Sequence, residues 1–231
     1  MTQPGALPLA DTSDMIGMHR VFREALAAAS QLVGSSPPGD ADRAELVGTY
    51  YDNVLRLLDV HHAGEDELLT PKLLARCPDQ ADTITGIFAQ HGDVHGAIDR
   101  AHACVGAWRT DPTAPNATAL LAALAALDAA LTPHLDEEER TVLPLAALCI
   151  DVAEWGELPG HGMAHFDGDK QWLIRGLISD QMTPAQRAAM DAHAPPPIAA
   201  MWAETGQAAY ADFLVQLRGT AVDPQPIETS H

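Results

Sequence analysis

Apolar residues recur every three or four positions in four stretches of the first 150 residues, the pattern of helices that bury one face. Segments 34–40, 76–82 and 109–116 separate these stretches. They are rich in Pro, Gly, Asp and Asn, residues that end one helix or begin the next. Because the connections are short, successive helices should run antiparallel. The pattern predicts an all-α fold in which residues 11–150 form an up-down-up-down four-helix bundle.

The remainder of the chain predicts further helices. Thr183-Pro184 followed by Gln186 has the form of a capping box with proline in the first helical turn, and residues 198–217 are again amphipathic. Residues 151–218 also hold three of the four tryptophans, so they should pack on the bundle as a helical extension, either over the mouth of a site or as the contact of a homodimer. The polar residues 219–231 should form a flexible tail.

Histidines and glutamates occupy stripe positions that should be apolar. A single histidine there usually donates to a backbone carbonyl, but burying seven unpartnered polar residues would cost several kcal/mol. A shared metal site would satisfy them all. The candidate ligands are His19, His61, Glu65, His91, His95, His134 and Glu138. In the third stretch the stripe is Ile84, Phe88, His91, His95, Ile98, His102 and Val105.

An internal repeat supports the metal hypothesis. His61-x3-Glu65-x5-Pro71 matches His134-x3-Glu138-x5-Pro144 position for position. Residues four apart project from one face of a helix, so each histidine–glutamate pair can reach one point. The repeat indicates two helical hairpins that each give ligands to one of two metals.

Several neighbouring residues are weaker candidates. His62 competes with His61, because Asp66 lies four residues after it, and Glu139 is the second choice to Glu138. His102 is interpreted as a core residue or as a partner that orients a ligand. The histidines of Gly160–His165 are interpreted as part of a loop and helix start.

The segments GMHRVF, HHAGEDELLTP, QHGDVH and HLDEEERTVLP resemble the hemerythrin (HHE cation-binding) family over about residues 11–150. The resemblance implies two non-haem iron ions with an oxo or hydroxo bridge. It also implies a division of the ligands. One iron would be held by His91, His95 and His134, the other by His19 and His61, and the bridging carboxylates would be Glu65 and Glu138.

The two metals should be unequal. Aligning the two halves pairs His19 with His91, and the position that matches His95 is then Arg23. One metal therefore has three histidines and the other two, which leaves the second metal an open coordination position. Phe22 and Leu26 should line an apolar pocket beside it.

Two classes of function fit such a centre. It could bind or sense O2 or nitric oxide, which the histidine-rich ligand set favours. It could instead be an enzyme that consumes hydrogen peroxide, in the manner of a catalase or peroxidase, or that oxidises ferrous iron. A third reading is iron handling without gas chemistry. The sequence contains neither ExxH nor HExxH, the motifs of ferritin-like oxidases and zinc hydrolases.

Charge and cysteine content restrict the partners and the compartment. The formal net charge of −19 disfavours nucleic acid and anionic membrane surfaces as partners. The three cysteines are scattered and form no CxxC, so neither a disulfide framework nor a zinc knuckle is expected. We find no signal-peptide pattern and no uninterrupted apolar run of spanning length. These features predict a cytoplasmic protein.

Overall fold

Helices dominate the computed structural model, which describes residues 8–218. No strand occurs in this part of the chain, so the all-α prediction is confirmed. The α-helices of the first 150 residues are α1 (Ser13–Ala27), α2 (Ala29–Leu32), α3 (Ala41–Gly64), α4 (Thr70–Arg76), α5 (Ala81–Ala89), α6 (His91–Thr110), α7 (Ala114–Glu137) and α8 (Leu143–Cys149).

These helices join end to end into four bundle segments. The first segment is α1–α2, the second α3–α4, the third α5–α6 and the fourth α7–α8. Around the bundle, α1 packs on α3, α3 on α6, α6 on α7, and α7 on α1. Local signals agree with the boundaries: the side chain of Asp40 caps α3 by accepting from the amide of Arg43 at 2.9 Å. The result is a closed ring of four antiparallel segments.

A π-helical turn interrupts the second and the fourth segments at matching places. One turn spans Glu65–Leu69, between α3 and α4, and the other spans Glu138–Val142, between α7 and α8. Each begins at the glutamate of an HxxxE pair. A π-turn holds one residue more than an α-turn, so the residues after it shift around the helix axis. In the second segment the buried leucine is consequently Leu69, while Leu68 is only half-buried.

The apolar core is divided into two clusters along the bundle. The larger cluster, which includes Phe22, Leu58 and Ile98, lies on one side of the predicted ligand residues. The smaller cluster, which includes Met15 and Phe88, lies on the other side. The candidate ligands are therefore held between two apolar layers that keep bulk water away.

The rest of the chain continues as helices packed on the bundle. They are α9 (Val152–Trp155), α10 (Glu157–His165), α11 (Gln171–Asp180), α12 (Pro184–His193), α13 (Pro196–Met201), a π-turn (Trp202–Gly206) and α14 (Gln207–Arg218). The α10 helix lies against α3 and the first π-turn, and α11 lies between α1, α3 and α14. Leu173 of α11 is fully buried. The predicted tail 219–231 lies outside the described residues.

The fourth segment is more apolar than a count of uninterrupted apolar residues suggested. Among the described helices, the stretch Ala114–Cys149 is long enough to cross a membrane and contains an 18-residue window with a mean hydropathy of 1.4. Much of this value comes from alanines on its outer face, while the same stretch places His134 and Glu138 in the centre of the bundle. Only 22% of this window is buried, but a single such helix is weak evidence for a membrane span.

Candidate metal centre

Seven histidine and glutamate side chains meet between the two apolar clusters in two adjacent groups. The three-histidine group consists of His62, His91 and His134. The mixed group consists of His19, His61, Glu65 and Glu138. Within each group, one potential ligand atom of every residue lies within 4.8 Å of those of the others. All four bundle segments contribute, so only the folded bundle creates the two groups.

The carboxylate of Glu65 lies between the two groups. Its Oε1 is 3.4 Å from Nε2 of His61, in the mixed group, and its Oε2 is 3.6 Å from Nε2 of His91, in the three-histidine group. One oxygen therefore faces each group, which is the arrangement that a bridging carboxylate requires.

Glu138 also lies between the two groups, on the opposite side of the bundle, although one of its oxygens makes both contacts. Its Oε2 is 3.4 Å from Nε2 of His19 and 3.8 Å from Nε2 of His134. The internal repeat of the sequence thus becomes an approximate two-fold arrangement of side chains, in which each hairpin supplies one carboxylate located between the groups.

The nitrogen and oxygen atoms of these side chains that could bind a metal are buried and lack hydrogen-bond partners. Nine such atoms belong to the site: Nε2 of His19, His61, His62, His91 and His134, and both oxygens of Glu65 and Glu138. Leaving one buried polar group unsatisfied costs about 1–3 kcal/mol. Nine such atoms converging on one place are explained when they act as ligands of cations. The residues present therefore fit a dinuclear metal centre.

Burial also sets the protonation of the site in the absence of a cation. It lowers the pKa of His61 and His62 well below the usual value and that of His134 to about 3, with further lowering by neighbouring histidines. Burial, followed by the nearby charge of Glu138, raises the pKa of Glu65 well above its usual value. His61, His62 and His134 are therefore neutral, the form that binds metals, and a bound cation would favour ionised Glu65.

Carboxylates next to the glutamates orient two of the histidines. Nδ1 of His19 donates to Glu139 at 2.8 Å, and Nδ1 of His91 donates to Asp66 at 2.9 Å. Asp66 and Glu139 each follow a glutamate of the site by one residue, so this contact also obeys the repeat. A proton fixed on Nδ1 leaves Nε2 free to face the site. Glu139, the second choice as a ligand, is therefore an orienting residue.

The environment of Glu139 distinguishes it from Asp66. Arg23 donates to Glu139 and to Asp136, both at 2.6 Å. The hydrogen bond from His19, together with that from Arg23, lowers the pKa of Glu139 to about 2. These side chains connect His19 to the surface, where the Asp136 side chain is 61% exposed. In the three-histidine group, the amide oxygen of Gln90 accepts from Nδ1 of His134 at 3.3 Å.

His95, predicted as a ligand, belongs to neither group. Its side chain is 64% exposed, and its Nδ1 lies 3.1 Å from Asp59. The residues of α6 that are buried are His91, Val94, Ala97, Ile98, Ala101, Val105 and Trp108. The predicted stripe and the real one share positions 91, 98 and 105, but they differ at the residues between. From His91 the buried positions are spaced alternately three and four residues apart. Val94 and Ala101 therefore point inward, where His95 and His102 were expected.

His62 takes the place predicted for His95. Its ring stacks on that of His91 with a centroid distance of 4.2 Å, and only 5% of the residue is exposed. His61 and His62 were treated as alternatives, but the structure brings both of them to the centre, one in each group. Adjacent residues project about 100° apart on a helix, so a helix whose face lies between the two groups can serve both. The signal in the sequence is the His-His doublet itself.

His102 and two histidines of the tail, His161 and His165, lie outside both groups. His161 and His165 stack on each other at 4.1 Å, and His161 packs against Gly64 on the outer face of α3. His102 lies 3.3 Å from Asp52, away from the site. None of these three histidines joins a group of potential metal ligands in the described part of the chain.

Comparison with known proteins gives one match. The model of the family described as hemerythrin HHE cation binding domain matches residues 11–146, more than half of the chain. No curated protein and no solved structure matches. The matched range contains all seven residues of the two groups.

Proposed function

This chain belongs to the hemerythrin HHE cation-binding domain family, and from that membership we propose that it holds two iron ions and binds or senses O2 or nitric oxide. The observation that carries the proposal is the convergence of nine buried, unpartnered donor atoms with two carboxylates located between two sets of histidines. Metal binding follows from the family and from these donors, while iron and its gas ligand are the proposal.

The donor types support iron. Imidazole suits several transition metals, and carboxylates in bridging positions together with an incomplete ligand shell favour iron over zinc. His62, His91 and His134 would hold one ion, and His19 and His61 would hold the other, with Glu65 and Glu138 shared. Two irons in this setting would supply a coordination position open to a small diatomic molecule.

In this proposal the open position would lie beside the mixed group. The repeat aligns His62 with Leu135, which is fully buried and offers no ligand atom. The proposal therefore keeps the predicted inequality between the metals, with His62 instead of His95 as the third histidine. Phe22 lies against His61, with ring centroids 5.3 Å apart. Apolar walls of this kind favour an uncharged diatomic ligand and exclude water from it.

One feature favours a second function, the consumption of hydrogen peroxide. The Glu139–Arg23–Asp136 network is a polar connection from His19 to the surface, and the low pKa of Glu139 keeps its carboxylate ionised. Hydrogen peroxide is polar and forms hydrogen bonds, so a polar connection of this kind suits its approach to the site better than an apolar wall does. Reversible binding of O2 does not require this.

Spectra of the purified protein separate the two functions. The reduced protein would be exposed in turn to O2, nitric oxide and peroxide while its visible spectrum and gas evolution are followed. We expect a reversible absorption change with O2 or nitric oxide that saturates at one ligand per pair of metals. Rapid peroxide disappearance with no stable change in the presence of O2 or nitric oxide would replace the binding function with the enzymatic one.

A further inference from the structure

Two cysteines occupy matching ends of the second and fourth bundle segments. Cys77 directly follows α4, and Cys149 is the last residue of α8. They are six and five residues beyond the repeated prolines, Pro71 and Pro144. Each hairpin of the repeat therefore ends in a cysteine, although no short motif links the two positions in the sequence.

The two sulfurs are in direct contact. Cys77 Sγ and Cys149 Sγ lie 2.8 Å apart, within reach of a hydrogen bond and only about 0.75 Å farther than the ~2.05 Å of a covalent disulfide. Both residues are free thiols and half-buried, so a small reagent can reach them. A covalent bond would require only a small shift of the side chains.

The backbone around the pair is fixed by other contacts. Arg76 donates to the carbonyl oxygen of Cys149 at 2.7 Å and binds both carboxylate oxygens of Glu154 at 2.6 Å. Apolar packing of Leu73 and Ala146, both fully buried, holds the ends of the same two helices. The approach of the sulfurs is therefore a property of the folded bundle and does not depend on a bond between them.

We propose that Cys77 and Cys149 form a reversible dithiol–disulfide pair, oxidised by hydrogen peroxide and reduced by small thiols, whose bond fastens the two helices that carry Glu65 and Glu138. The third cysteine, Cys104, lies on α6 in the larger apolar cluster and takes no part. The proposal does not depend on which metal or gas the centre binds.

The oxidation balances in two steps. A thiolate of the pair attacks peroxide, an S–O bond forms, the O–O bond breaks, and hydroxide leaves, giving a sulfenic acid. The second sulfur then attacks the first, the S–S bond forms, the S–O bond breaks, and water leaves. In total, two thiols are oxidised and one peroxide is reduced to two waters. The hydrogen bond to Cys149 raises the pKa of the Cys77 thiol to about 11, so little Cys77 thiolate is present near neutral pH and its attack on peroxide is slow there.

The bond would act on the metal centre through the helices. Glu65 lies on the second segment and Glu138 on the fourth. Each is the first residue of a π-turn, and the short helix after that turn has a cysteine at its end or directly after it. A covalent tie between residues 72 positions apart restricts the opening of the two segments. We expect the oxidised protein to release its metals to a chelator several-fold more slowly than the reduced protein.

The test uses the full-length protein with its bound metal. Free thiols are counted after treatment with excess dithiothreitol or with hydrogen peroxide, and the cross-linked peptides are identified by mass spectrometry. The reduced chain has three thiols, and we expect one to remain after oxidation, with Cys77 and Cys149 joined and all three restored by dithiothreitol. Cys104→Ser is the matched control, and it should form the bond and show the slower metal release. Cys77→Ser and Cys149→Ser should show neither.

Two results would overturn the proposal. If all three thiols survive peroxide, or if Cys104 is consumed as readily as the other two, the contact has no redox role. If the bond forms but oxidised and reduced wild-type protein lose metal at the same rate, the bond does not fasten the centre. Because thiol counting is independent of gas or peroxide turnover, neither result is confused with failure of the proposed function.

Discussion

At the scale of single residues, the proposed ligand set depends on which face of α6 is buried and on the adjacent histidines His61 and His62. His62 is buried with its Nε2 unpartnered, whereas His95 is exposed and paired with Asp59. The two histidines therefore form a matched pair for mutation, because both lie on bundle helices and only one reaches the site.

His62→Ala should reduce the metal content from about two to about one per chain, since it removes one of three histidines from one ion and leaves other donors unsatisfied. His95→Ala should leave metal content unchanged and alter stability by less than about 0.5 kcal/mol, because its side chain is exposed. Elemental analysis and thermal unfolding of both variants measure this. Loss of metal in His95→Ala with retention in His62→Ala would reverse the assignment.

Glu139 should act through its hydrogen bond to His19. Glu139→Ala removes the acceptor and should weaken metal affinity about 10–100-fold, the usual effect of losing a partner that orients a ligand. Glu139→Gln keeps an oxygen that accepts from Nδ1 and should restore most of the affinity. Competition with a chelator measures both. Equal losses in the two variants would mean that the negative charge, and not the orientation of His19, is what matters.

At the scale of elements, close approach between α11 and α14 holds the C-terminal helices together. A Cβ on Gly176 would lie 2.3 Å from a ring carbon of Tyr210, so only glycine allows this contact. The hydroxyl of Tyr210 also donates to Asp180 at the end of α11. The glycine is thus a packing requirement, since its backbone needs no positive φ.

Gly176→Ala should therefore separate α11 from α14 and destabilise the protein by about 1–3 kcal/mol through overpacking. Metal content should be unchanged, because these helices supply no ligand. Gly106→Ala on α6 is the control. A Cβ there meets nothing within 4 Å, and the change should stabilise by about 0.4–1 kcal/mol. Chemical unfolding compares the two, and a neutral Gly176→Ala would show that α14 packs elsewhere.

Some features of the helices could be predicted from the sequence, and others could not. Apolar periodicity and breakers predict the four segments, and the HxxxE repeat predicts the paired glutamates. The sequence did not determine which face of α6 is buried. A stripe through His95 and a stripe through Val94 share positions 91, 98 and 105, and the positions between these differ by only one residue. The π-turns and the 2.8 Å contact of Cys77 with Cys149 arise from tertiary packing and have no short-range signal.

At the scale of the whole molecule, the bundle is a water-excluding frame for a polar centre. Two apolar clusters enclose the ligands along the axis, and all four segments contribute to them. The nine buried atoms without hydrogen-bond partners destabilise the folded state until cations occupy the site. Metal binding should consequently stabilise the entire bundle and not only one helix.

The proposed dinuclear iron centre is tested most directly by two measurements on protein expressed with ample iron. One is the metal content per chain, and the other is the position of each metal in a crystal, located by anomalous scattering. We expect two irons per chain, one among His62, His91 and His134 and the other among His19 and His61, with Glu65 and Glu138 shared. A single metal per chain, or stoichiometric zinc despite the iron supplied, would contradict it.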